Sequence, residues 1–272
     1  MSEQALGNGA VLCSLDHRGV ATVSLNRPQV NNAYNGDMLD GLHQAMDLVD
    51  RDPAIRAVML RANGRHFQAG ADLAWIASVG KLGPDSNEQA SRLTGEAVQR
   101  LNVLRVPTIA LVQGGCFGGG TGVLAACDVV LAADNALFAI TEVRWGLMAG
   151  IILPHLCNTI GVRNVRRYAL TAERFDAQTA QQLGLVHEVC SLDTLGSRGE
   201  QIVDALLMNA PDAVALTKRR TLAVSGNDLP ADLMNALIAE HAARRQTAEA
   251  AEGTASFLEK RAPSWYPGPL PD

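Results

Sequence analysis

The stretch TIALVQGGCFGGGTGVLAACDVVL, residues 108–131, sets the frame for the whole chain. It opens with an apolar run, Thr108–Val112, directly after Pro107, which reads as a buried strand. A turn carrying six glycines (114, 115, 118, 119, 120 and 122) follows, then a helical candidate over 119–126 and a second apolar run over 128–131. Strand, glycine turn, helix and strand in that order predict an α/β core with parallel pairing. The glycine turn leads from a strand into a helix, so free amides and the helix dipole there suit a negative oxygen. Neither GxGxxG in the right place nor GxxxxGK[ST] is present, and a tight turn without any ligand satisfies the glycines equally well.

The same grammar extends outward. Val11–Leu15 and Val20–Leu25 alternate around Asp16-His17-Arg18-Gly19 and predict a β-hairpin. Asn35 caps a predicted helix with Met38, Leu42, Met46 and Val49 on one face, ended by Pro53. A strand over 55–60 and helices over 72–79 and 87–104 fill the interval before residue 108. After Ser191 the strands stop, and helices are expected over 195–208, 211–223, 232–250 and 254–261, with Pro211 at an N1 position and Pro263 as a terminator. The tail 263–272 holds four prolines and forms no regular element. The chain therefore divides into an α/β core, 1–190, and a helical region, 191–272.

Composition excludes several classes of function. A net charge of −5, with both signs interspersed, lacks the basic face of a nucleic-acid binder. Residues 1–10 carry no signal or transit pattern, and no apolar run is long enough for a bilayer, so a soluble cytoplasmic protein is expected. Cys13, Cys116, Cys127, Cys157 and Cys190 show no CxxC spacing and read as buried small hydrophobes in a reducing compartment. The six histidines show no ligand spacing, so no metal is expected.

Two further segments carry chemistry. Residues 64–73, GRHFQAGADL, follow a strand and enter a helix, with small residues at 69–71 that allow close approach of a ligand to the backbone. His66, beside Phe67, reads as a structural turn residue. In TEVRWGL, residues 141–147, Glu142 lies among apolar neighbours. Such a carboxylate is either paired, Arg144 being the nearest base, or has a raised pKa suited to proton transfer, and the residues alone favour pairing.

Taken together these segments resemble the enoyl-CoA hydratase/isomerase (crotonase) family over residues 11–265. The matching landmarks are Leu25-Asn26-Arg27-Pro28 with Asn32-Ala33, Ala69-Gly70-Ala71-Asp72, and Gly118-Gly119-Gly120 with Ala126-Cys127-Asp128. Glu142 with Gly146-Leu147, Ala169-Leu170-Thr171-Ala172, Ala180 with Leu183-Gly184-Leu185-Val186, and Phe257-Leu258-Glu259-Lys260-Arg261 complete the series. The resemblance implies a crotonase-like β-β-α superhelix core, then a C-terminal helical region that mediates trimerisation and closes the coenzyme A site; two trimers stack into a hexamer. It implies an acyl-CoA thioester as substrate, with coenzyme A part of that substrate and no separate cofactor.

Carried over residue by residue, the resemblance gives the backbone N–H groups of Ala71 and Gly119 to the thioester oxygen and Glu142 to proton exchange at C2. It lays coenzyme A along Asn32-Ala33 and Ala69, Asp72, Leu73 and Ala74, with Gly118 and Gly122 beside the acyl group and Arg27, Phe257 and Lys260 as outer contacts. Asp72 is read as holding the helix start. One departure stands out: the first family glutamate falls on Gly122, which leaves one carboxylate and room for a bulkier acyl group or a differently held water. The methylglutaconyl-CoA or isohexenylglutaconyl-CoA hydratase branch looks most similar, and its distal carboxylate would suit Arg144 or Arg65. Hydration of a 2-enoyl-CoA is the leading expectation; a one-glutamate double-bond isomerase and a non-catalytic acyl-CoA-binding protein are the alternatives.

Overall fold

A computed structural model describes residues 3–224 and 230–262. In chain order its strands are β1 (Gln4–Leu6), β2 (Val11–Leu15), β3 (Val20–Leu25), β4 (Ala57–Ala62), β5 (Thr108–Val112), β6 (Gly115–Phe117), β7 (Val129–Ala133), β8 (Leu137–Ala139), β9 (Phe175–Asp176) and β10 (Glu188–Cys190). The helices are α1 (Gly36–Arg51), α2 (Leu73–Gly80), α3 (Pro84–Val103), α4 (Gly119–Ala125), α5 (Leu153–Thr171), α6 (Ala177–Leu183), α7 (Leu192–Leu207), α8 (Pro211–Val224), α9 (Ala231–Arg245) and α10 (Ala248–Leu258).

Seven strands form one sheet in the order β1-β2-β3-β4-β5-β7-β10. The first two pairings are antiparallel, as the hairpin alternation predicts, and β3 to β10 run parallel. A small second sheet, β6-β8-β9, stands beside it. Its strands are two or three residues long, too short for periodicity to reveal. The central strands are apolar along their whole length because both faces are covered; all five residues of β5 are buried. Below the parallel sheet α1 and α3 bury Met38, Met46, Val49, Val98 and Leu101 in the main core. On the other face α7 packs Leu195 and Val203 against Met59, Ile109 and Leu131.

Local signals account for the boundaries. Asn35 caps α1 by accepting from the Met38 amide at 3.2 Å, and Arg51 lies in its last turn, where a cation complements the dipole. The predicted helices 232–250 and 254–261 are redrawn as α9 and α10: the break falls at Gln246, and Thr247 caps α10 through the Ala250 amide. No glycine or proline marks that break, so apolar spacing runs across it. Helix α5 was unread in the sequence; it begins at a proline turn and kinks at Gly161, which interrupts the helical pattern. The predicted stop at Pro263, the tail 263–272 and the end of the resemblance at Trp265 lie outside the described residues.

Helix α8 is tied to the sheet by a largely buried ion pair. Lys218 Nζ donates to Asp128 Oδ2 at 2.7 Å and to the Val106 carbonyl at 3.1 Å, and the same Oδ2 accepts from the Thr108 amide at 2.8 Å. The Lys218 side chain is 7% exposed, so removing its counter-ion strands a charge. Asp128→Asn is therefore expected to destabilise the fold by about 3 kcal/mol, read as a lower midpoint in urea at unchanged slope.

Candidate active site

Two loops leave the carboxyl ends of adjacent parallel strands, the place where α/β sheets offer a crevice. One runs from β4 into α2 and the other from β5 through β6 into α4. They are zipped together: the Gln68 amide donates to the Gly115 carbonyl at 3.1 Å, and the Phe117 amide to the Gln68 carbonyl at 2.8 Å. On the opposite side Tyr34 bridges to Ala71, donating to the Gly70 carbonyl at 2.8 Å and accepting from the Asp72 amide at 2.8 Å. Gly70 makes this closeness possible. Its φ is +84°, and a Cβ there would meet the Phe117 carbonyl oxygen at 3.0 Å.

Parallel bridging uses the groups flanking Ala71 and leaves its own N–H pointing away from Tyr34. Gly119 is the first residue of α4, so its N–H lacks an intrahelical acceptor. Neither amide has a protein acceptor among the described residues. Both residues line the same cavity, of about 530 Å³, which runs from Ala74 and Phe257 at the surface past Glu142 to Val98 and Leu101 in the core.

Glu142 opens a short 3-10 turn, Glu142–Trp145, after β8. The residue is half-buried, but its Oε2 is sealed from solvent and has no hydrogen-bond partner. Desolvation raises its pKa to about 7, opposed only by the backbone amides of Glu142 and Thr141. Pairing with Arg144 does not occur: that guanidinium donates to the Ala172 carbonyl at 2.7 Å, which corrects the reading the residues alone favoured. The carboxylate faces the glycine turn, since a Cβ on Gly118 would lie 3.2 Å from Glu142 Oε1. Helix α10 backs this turn: Gly253 touches the Trp145 backbone, and Phe257 packs edge-on to Trp145 with centroids 4.9 Å apart.

Of the residues singled out in the sequence, Ala33, Ala69, Ala71, Asp72, Leu73, Ala74, Gly118, Gly119, Glu142 and Phe257 all line the cavity. Asp72 caps α2 through the Ala74 and Trp75 amides and pairs with Arg27 at 3.1 Å, so Arg27 is engaged inside the protein. Asn32 is not on the wall. It is wholly buried, its amide donating to the Asn63 and His66 carbonyls at 2.8 and 2.9 Å, and it fastens the loop from behind. Lys260 and Arg65 are exposed and do not line the cavity. His66 Nδ1 accepts from the Gly115 amide at 2.8 Å, a structural role, and burial beside Arg65 lowers its pKa.

Gly122 requires the clearest correction. The sequence suggested free space there, but a Cβ on Gly122 would lie 2.2 Å from Ile152 Cγ2 and 2.5 Å from Ile152 Cβ. Ile152 has taken that volume and presents an apolar wall to the cavity instead. Gly122→Ala is expected to cost about 1–3 kcal/mol by overpacking. Combined with Ile152→Ala, the loss should fall below the sum of the single losses by more than about 1 kcal/mol in a denaturation cycle. Sequence reasoning also missed Tyr34, Thr94, His241, Arg245 and Ile152, which line the cavity from distant segments with no motif to connect them.

The fold and this geometry define a largely apolar cavity whose wall carries two amides without a protein acceptor among the described residues and the half-buried Glu142 carboxylate. Residues 16–267 match the family model described as enoyl-CoA hydratase/isomerase. A Thermus thermophilus protein, provisionally named as an enoyl-CoA hydratase, is 34% identical over 90% of this chain and 96% of its own. A mitochondrial Delta(3,5)-Delta(2,4)-dienoyl-CoA isomerase of Dictyostelium discoideum is 30% identical over 91% of this chain and 88% of its own. The crystal structure of an enoyl-CoA hydratase from Mycobacterium avium superposes with a TM-score of 0.83 at 32% identity, over 94% of this chain and 99% of that one. The chain belongs to the enoyl-CoA hydratase/isomerase family and has its crotonase-type fold.

No helix among the described residues is long and apolar enough to cross a membrane, and no group of three or more potential metal-ligating side chains is found among them. The five cysteines are all free thiols.

Proposed function

We propose that the chain is an enoyl-CoA hydratase, adding water across the C2–C3 double bond of a 2-enoyl-CoA. The observation that carries this reading is Glu142: a carboxylate held without a counter-ion, its pKa near 7, against the turn that exposes the Gly119 amide. The thioester oxygen would sit between the Ala71 and Gly119 N–H groups, with coenzyme A along Ala33 and residues 69–74. As water oxygen bonds to C3, Glu142 takes the water proton and the π electrons pass to the thioester oxygen. The two amides stabilise that enolate, each contributing roughly 3 kcal/mol. The enolate then collapses, C2 takes the proton from Glu142, and the carboxylate is restored. A pKa near neutrality suits a group that must both accept and return a proton. No cofactor beyond the coenzyme A of the substrate is required. We extend the proposal to a cytoplasmic homotrimer, or a hexamer of two trimers, assembled through the helical region from residue 191.

One observation favours a second reading. Ile152 fills the volume at Gly122, and the other carboxylate on the cavity wall, Asp72, is engaged as a helix cap and ion-pair partner. A single carboxylate suffices for a double-bond isomerase, which moves one proton between C4 and C2 without using water. Turnover of 2-enoyl-CoA and 3-enoyl-CoA in heavy-oxygen water tests the pair. Label at C3 of the product supports hydration; conversion of the 3-enoyl to the 2-enoyl thioester without label replaces it by isomerisation.

A further inference from the structure

Where α9 packs on α3, the cavity wall carries a buried guanidinium. Arg245 is 5% exposed, and its partners are all neutral. Nε donates to Asn87 Oδ1 at 3.3 Å, Nη2 to Ser91 Oγ at 2.6 Å and to the Asn87 carbonyl, and Nη1 faces His241 Nδ1 at 3.4 Å. No Asp or Glu among the described residues forms an ion pair with it. His241 supplies no charge: burial and the neighbouring Arg245 push its pKa down to about 3, so it is neutral. Burying a cation without an anion is costly, and a protein that does so is either unusually strained there or completed by an anion from outside.

The position selects the second. Arg245, His241, Thr94 and Tyr34 line the cavity that also holds Glu142, and the Tyr34 phenol lies within electrostatic range of both Glu142 and Arg245. Tyr34 also sits against Gly119, where a Cβ would approach its ring at 2.8 Å. A single tyrosine side chain thus spans the interval between the amide-carboxylate centre and the guanidinium. An acyl group anchored at the thioester reaches Arg245 by passing Tyr34.

We propose that Arg245 is the receptor for a carboxylate at the far end of the acyl chain, so that the substrate class is the monothioester of a dicarboxylic acid. This rests on the acyl-CoA reading of the site given above. It also places the acid-binding role on a residue of α9, not on Arg144 or Arg65, to which the branch resemblance pointed. Arg144 lines the cavity but is tied to the Ala172 carbonyl, and Arg65 does not line it.

The test uses binding, so that it does not depend on turnover. Glutaryl-CoA and pentanoyl-CoA, two saturated five-carbon thioesters differing in the terminal carboxylate, are titrated calorimetrically into the full-length protein. The wild type is expected to bind glutaryl-CoA at least about 30-fold more tightly, the scale of one charge-assisted contact to a desolvated guanidinium. Arg245→Met should bring that ratio close to unity, and Arg245→Lys should leave it above about fivefold, a point charge lacking the planar fork. Equal affinity for the two ligands in the wild type overturns the proposal whether or not Arg245→Met folds. A ratio unchanged in a folded Arg245→Met, as judged by its thermal transition, also overturns it. Binding of both thioesters with no preference leaves the acyl-CoA reading standing while removing this one; failure of both to bind removes the reading beneath it.

Discussion

Replacing Glu142 with glutamine is expected to lower turnover by about 10²- to 10⁴-fold while the protein becomes more stable at alkaline pH. Glutamine keeps the size of the side chain and cannot exchange the proton. The stability change follows from the carboxyl's pKa near 7 in the folded protein against an ordinary value of 4.5. Below pH 4.5 both states hold the proton and the group contributes no penalty. Between 4.5 and 7 the unfolded chain loses it first, so the folded state is progressively disfavoured as pH rises, levelling off above 7. Neutral glutamine removes that loss, and the variant should exceed the wild type by up to about 3 kcal/mol at pH 8 and match it near pH 4. Activity of the wild type should rise with pH through about 7 as the carboxylate form appears, and the variant should lose that limb. Paired thermal melts and rate profiles check both halves. A variant with near-normal turnover would remove Glu142 from the chemistry, and one less stable than the wild type at pH 8 would show that its carboxylate is solvated after all.

How far the sequence could be read depends on which physical signal each part carries. The hairpin, α1, β4 and β5 are legible because alternation, an Asn35 cap and flanking prolines are all local. Strands β6, β8 and β9 form by pairing loops that are distant in sequence, so no window of residues announces them. The amides of Ala71 and Gly119 have no side-chain signature; only the family resemblance singled them out, while residue types alone left the glycine turn open between a ligand site and a plain bend. Gly122 shows the opposite failure. Its missing side chain looked like empty space because Ile152, thirty positions on, is the residue that fills it. Arg245 was passed over for a related reason: beside Arg244 in the last turn of a helix it reads as a solvated cation, and only packing of α9 on α3 buries it. Composition reveals which residues could do chemistry; burial decides which of them do.

Gly118→Ala should be nearly as damaging to turnover as losing the carboxylate's proton, although it adds only a methyl group. Gly118 has φ +51° and ψ −126°, a conformation that residues with a Cβ avoid, so the substitution costs roughly 1–3 kcal/mol of backbone strain. The new Cβ would also lie 3.2 Å from both Glu142 Oε1 and Thr141 Oγ1, tighter than ordinary contact. Either the carboxylate retreats or the turn tilts and carries the Gly119 amide with it. A displacement near 1 Å at a reacting centre costs about 10²-fold in rate, and the loss should fall on kcat more than on KM because the coenzyme A contacts proposed along residues 69–74 would be untouched. Gly161→Ala supplies the control: φ is +75° there as well, yet nothing lies within 4 Å of its Cβ and Gly161 does not line the cavity. It should show the strain penalty in a melt and wild-type turnover. If Gly118→Ala behaves like Gly161→Ala, strained but fully active, then Glu142 Oε1 and the glycine turn are not held in the mutual register on which the proposed chemistry depends.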